Sequence, residues 1–66
     1  MSGVMVLGPG DSHPVIGMIK RRLGVYPSDD EYTHELAARV RGAQLMLELE
    51  VTGLVEDDLL KRLHLA

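Results

Sequence analysis

An all-α fold is what this sequence predicts: a small three-helix bundle, residues 13–66, behind a short extended N-terminal arm, residues 1–12. Three observations carry that expectation. A phrase is stated twice, as LGPGDSHPVIGMIKRRLG at residues 7–24 and as YTHELAARVRGAQLMLELEVTGLVEDDLLKRL at residues 32–63. Each statement opens on a Gly- or Thr-containing turn, runs into a helical apolar period, and stops at a turn or Gly. The chain has no Cys, so neither a disulfide framework nor a thiolate zinc site can staple it. Its 66 residues are 45% hydrophobic and only 3% aromatic, with Tyr26 and Tyr32 the only rings, so stability must come from aliphatic packing. A domain this short buries roughly 60% of its unfolded surface and is marginal alone. Oligomerisation commonly supplies what such a core lacks, which makes a homo-oligomer one of the expected states.

The elements follow in order. Val4–Leu7 is β-prone and runs into a Gly8–Pro9–Gly10 turn, giving the extended arm. Asp11 and Ser12 are capping residues just ahead of Pro14, which a first helical turn tolerates because its missing N–H would be unpaired there anyway. Ile16, Ile19 and Leu23 then share one helical face, and Gly24 is placed to stop the helix in a left-handed cap. Gly17 inside this helix costs about 1 kcal/mol relative to Ala, for which a close backbone approach and a tolerant surface position are alternative reasons. Pro27–Glu31 is an acidic loop, and Thr33 is the expected N-cap of the central helix, with Glu35 in its first turn. Leu36, Val40, Ala43 and Leu47 recur at steps of four, three and four as its buried stripe, so Leu47→Ala is expected to unfold the domain. Thr52–Gly53 makes a tight turn. The last helix spans roughly residues 56–63, acidic at its positive end and basic at its negative end, with Leu59, Leu60 and Leu63 as the buried edge.

Charge and hydropathy narrow the function classes. A net charge of −3 and a pI near 5.4 argue against a nucleic-acid partner, which usually meets a basic stripe. The cluster Lys20–Arg21–Arg22 reads as a solvated helix face that complements a helix C-terminus. No stretch approaches the roughly 20 apolar residues of a membrane span, and Val4–Leu7 is far short of a signal-peptide core. A product made and kept in the cytoplasm is therefore expected.

The order of these phrases resembles the peptidoglycan-binding-domain-like family of three-helix modules attached to bacterial and phage cell-wall hydrolases. Gly10–Asp11 matches the family's opening turn, Ile16 and Ile19 its aliphatic pair, and Leu23 its closing Leu. Tyr32 takes the aromatic before the middle helix, while Val40, Gln44 and Leu49 match its aliphatic, Gln and Leu. The final phrase is nearly literal in Val51, Thr52, Gly53, Val55, Glu56 and Leu63. Departures are Ala43 for the family's Phe, Lys20 for its first-helix Gln, Glu48 for the Gly ending the middle helix, and Leu36 and Asp58 for two Thr. The resemblance implies the three-helix fold over nearly the whole chain, and cell-wall glycan as a ligand class.

Chemistry-bearing residues are sparse. His13, His34 and His64 stand at three separate helix ends with no i, i+4 pair, and read as surface histidines. Asp29–Asp30–Glu31 and Glu56–Asp57–Asp58 lack the alternating spacing of a calcium loop and precede helices, where acids favour the dipole. No nucleophile–base constellation, metal site or cofactor motif is expected, and hence no enzyme. For glycan binding, Tyr26 and Tyr32 bracket one loop with Arg39 and Arg41 on the next helix, a candidate platform for a sugar or peptide stem. Against it, Tyr32 is expected to plug the core. For a protein partner, Leu45 and Met46 fall off the buried stripe and join the arm residues Val4, Met5, Val6 and Leu7 as a candidate interface. Free backbone groups on that arm would suit addition to a neighbour's sheet edge.

Two functions are thus expected from different classes. One is a structural piece, a small phage virion component of capsid or tail, located in the virion or host cytoplasm. The other is a stand-alone cell-wall-binding module that serves a separate hydrolase or particle, reaching the wall after lysis or particle delivery. The start at Met1 and the close at Ala66 fit a complete gene product.

Overall fold

A computed structural model describes residues 5–65. The protein is all-helical, and the described residues form three helices: α1 Pro14–Leu23, α2 His34–Met46 and α3 Asp57–Arg62. Their apolar faces meet in one core containing Ile16, Ile19, Leu36, Val40 and Leu59, with Leu7, Val25, Tyr32 and Val55 contributed from the connections. Leu23, Ala43, Leu47 and Leu63 pack at its margin, half-buried.

Helices α1 and α2 each start on a side-chain cap, whereas α3 starts at Glu56 without one. Thr33 caps α2, its hydroxyl accepting from Leu36 N–H at 3.2 Å, as expected. At α1 the cap is His13, in extended conformation, with Nδ1 accepting from Val15 N–H at 3.0 Å. Asp11 and Ser12 do not take that place. Pro14 holds the first helical position and disfavours helical backbone in the residue before it, so the cap must be residue 13. The Asp11 carboxylate instead accepts from Gly8 N–H at 2.8 Å and closes the Gly8–Pro9–Gly10 turn.

All three helices stop in one geometry. A residue in the left-handed region follows the helix: Gly24 at φ 75°, Glu48 at φ 60°, His64 at φ 62°. The next N–H then reaches back to the carbonyl five residues earlier, from Val25 to Lys20, Leu49 to Gln44 and Leu65 to Leu60, each at 2.8 Å. This is a Schellman motif, and its aliphatic follower turns inward: Val25 is buried, Leu49 and Leu65 half-buried against the core. Arginines close the remaining carbonyls in a ring. Arg39 of α2 donates to Leu23 O, Arg62 of α3 to Leu47 O and Arg22 of α1 to Leu63 O, so each helix caps the end of another.

Residues 7–12 belong to the bundle and are not a separable arm. Leu7 is buried and forms an antiparallel bridge with Val55, its N–H donating at 3.0 Å and its carbonyl accepting at 2.8 Å. Ser12 bridges Glu31, with Gly10 N–H on Tyr32 O and Tyr32 N–H on Asp11 O, both at 3.0 Å. The segment therefore straps the α1–α2 loop to the α2–α3 loop, and its apolar end completes the core.

Lys20 differs from the solvated-face expectation. It is 2% exposed, and its ammonium pairs with the Asp29 carboxylate in the α1–α2 loop. With Ile16 and Ile19 it lies on the inner side of α1, where a four-carbon stem packs as an apolar group and delivers the charge to the loop. Gly17, also buried, lets that loop approach: a Cβ there would stand 3.0 Å from Ser28 O. Close backbone approach is thus the reason for this glycine.

Candidate functional site

Gln44 organises the far end of α2. Its side chain is 4% exposed, and its amide makes four hydrogen bonds to the Thr52–Gly53 turn. Oε1 accepts from Thr52 N–H and Gly53 N–H, both at 3.0 Å, while Nε2 donates to Leu54 O at 2.9 Å and Thr52 Oγ1 at 3.1 Å. The buried Tyr32 hydroxyl donates to Gly53 O at 2.6 Å from the opposite side. Burial pushes the Tyr32 phenol up to about 12 although the Arg41 guanidinium opposes the shift. The turn is thereby fixed relative to α2, and Gly53 at φ 76° leaves room for the Arg41 side chain against it.

This scaffold holds an apolar surface at the end of α2. Leu45 is 70% exposed and Met46 85%, and Val51 beyond the helix stop is about half exposed. The remaining expected interface residues are divided. Val6 is exposed, Met5 is half-buried against the core, Leu7 is buried with its backbone paired, and Val4 lies outside the described residues. The strand-addition surface expected of the arm is therefore absent at Leu7, whose N–H and C=O are already used within the chain.

The four expected glycan contacts do not converge. Tyr26 is 66% exposed beyond the end of α1, but Tyr32 is in the core. Arg39 is directed to Leu23 O at 3.1 Å and Arg41 to the Gly53 turn, on opposite sides of α2. Only Tyr26 and Arg39 are brought to the same end of the bundle, by their shared relation to the close of α1.

The described surface includes two depressions that bear on function. One, of about 270 Å³, is lined by Met18, Arg21, Arg22 and Leu65 between α1 and the chain end. Sequence reasoning missed it because Leu65 joins α1 only through the left-handed turn at His64. The other, of about 70 Å³, lies between Leu49, Glu50, Thr52, Glu56 and Leu59. The acidic loop residue Asp29 is held below the usual carboxylate range by the Lys20 ammonium and then by the N–H of Glu31. Among the described residues no three His, Asp or Glu side chains group to hold a metal ion. Nor is any described helix long and apolar enough to cross a membrane. No family model matches the chain, and neither a curated protein nor a solved structure matches it.

Proposed function

We propose that the chain is a non-catalytic structural module, a small phage virion accessory protein of capsid or tail, built on a peptidoglycan-binding-like fold. One observation carries the interaction part of this reading: two adjacent long apolar side chains, Leu45 and Met46, stand almost fully in water on a rigid helix end. A single exposed Leu is ordinary. A pair on one helix end offers apolar area worth about 25 cal/mol per Å² when covered by a protein partner. The virion part rests on the resemblance of the sequence phrases and puts the protein in the particle or the host cytoplasm. The wall-binding reading remains the second, supported by the exposed Tyr26 ring beside the Arg39-capped end of α1, a surface on which a sugar face could stack.

Leu45→Glu separates the two. It alters an exposed position, so stability should change by less than about 0.5 kcal/mol. Incorporation into the particle, followed by mass spectrometry of virions, should fall while pull-down on purified cell wall is unchanged. Normal incorporation with lost wall binding would refute the structural reading and favour the glycan one.

A further inference from the structure

The groove formed by Met18, Arg21, Arg22 and Leu65 has two cationic groups over an apolar floor. Met18 is about half exposed, and Leu65 is held half-buried by its N–H on Leu60 O. Arg22 is anchored on Leu63 O, whereas Arg21 is exposed and makes no side-chain hydrogen bond or ion pair among the described residues. A chain with a net charge of −3 thus presents one locally basic, partly apolar depression. Its complement is an acidic segment with an aliphatic side chain adjacent, and this protein carries one on its own surface. Glu48 and Glu50 are exposed, with no ion-pair partner among the described residues, and Val51 next to them is about half exposed. The segment is rigid because Glu48 is fixed in the stop of α2 and Thr52 is clasped by Gln44. Little conformational freedom is therefore lost when it docks.

We propose that this groove receives the Glu48–Val51 segment of a second copy, with the two glutamates facing Arg21 and Arg22 and Val51 lying on Met18 and Leu65. Groove and segment are different surfaces of one chain, so every copy offers both, and association is either reciprocal in a dimer or head-to-tail in a ring or filament. The net negative charge repels copies in general, which makes this pairing the specific route to contact and makes it sensitive to salt. The pairing uses neither Leu45 nor Met46 and needs no foreign partner, although it shares Val51 with the exposed surface described above, so Leu45→Glu and Arg21→Glu test the two readings separately.

The test is sedimentation velocity of the full chain over a concentration series, at low ionic strength and at about 0.5 M salt. Self-association that weakens with salt is expected. Arg21→Glu and Glu50→Arg should each weaken it at least about tenfold, and Arg21→Ala should weaken it less. Both positions are solvent-exposed, and circular dichroism checks that the fold is kept. An equimolar mixture of Arg21→Glu and Glu50→Arg should associate better than either variant alone, because it offers unaltered groove to unaltered segment and exchanged groove to exchanged segment, both with opposite charges. The double variant carrying both exchanges restores opposite charges across the contact with their signs reversed, and it should recover association. Wild-type protein that remains monomeric into the millimolar range overturns the proposal. So does a double variant no better than the single ones.

Discussion

Gln44 shows how one side chain can decide a local structure. Both lone-pair directions of Oε1 and both hydrogens of Nε2 are used on the Thr52–Leu54 turn, so this buried amide is fully satisfied. Exchange for Glu keeps the acceptor on Thr52 and Gly53 N–H but sets a second oxygen against the carbonyl of Leu54, which can only accept. The protonated acid can donate there and the carboxylate cannot, so the folded-state pKa of the new Glu is raised above its unfolded value of about 4.3. A raised acid contributes stability below its unfolded pKa and loses it as pH rises through the folded one. Gln44→Glu should therefore fold nearly as well as wild type below about pH 4 and be destabilised by about 2–3 kcal/mol at neutral pH. Urea unfolding from acid to neutral pH measures this, and a loss of equal size at every pH would show that ionisation of the new carboxyl is not its cause. Asp29 acts in the opposite sense. Its lowered pKa makes the Lys20 pairing a stabilising contact at neutral pH that fades as acid protonates the carboxyl.

At the scale of elements, the three stops are alike in geometry but unequal in cost. Gly24 takes its left-handed conformation freely, whereas Glu48 and His64 carry a Cβ into it. Only the first stop was announced by its own residue, because glycine signals the conformation and Glu or His does not; the second was placed at Glu48 by the resemblance alone. What imposes it at Glu48 and His64 is the residue that follows: Leu49 and Leu65 reach the core only if the chain reverses there. Similar reasoning explains the misread start of α1, where Asp11 and Ser12 had the right chemistry but Pro14 fixed the position. Glu48→Gly should relieve the steric strain and raise stability by about 0.5–1 kcal/mol. The gain is limited because glycine also enlarges the unfolded ensemble. A thermal midpoint that falls would place the strain elsewhere, since Glu48 makes no ion pair among the described residues whose loss could account for it.

At the scale of the whole molecule, the all-α class, the three helices and most of the core could be read from apolar period and caps. Of the candidate site's dispersal, only the burial of Tyr32 could. Tyr26, Tyr32, Arg39 and Arg41 are close in sequence, yet helical rotation and the demand of each helix end for a donor send the two arginines apart. Leu7 and Lys20 were misjudged for a related reason: a 66-residue chain with two rings recruits its strap residue and a lysine stem to finish the core. That economy sets where the bundle is vulnerable. At about 0.05–0.15 kcal/mol per residue, a domain this size has about 3–10 kcal/mol in hand. Leu36 is fully buried at the centre, so Leu36→Ala should cost about 2–5 kcal/mol and leave much of the protein unfolded at about 37 °C. Leu47, expected from its spacing to be equally critical, is half-buried at the margin, and Leu47→Ala should cost about 1–2 kcal/mol and remain folded. Circular dichroism melts of the two variants decide the order. If Leu47→Ala is the more damaging, the centre of the core lies at the end of α2, and the exposed pair Leu45–Met46 stands on a far less independent platform than the bundle described above.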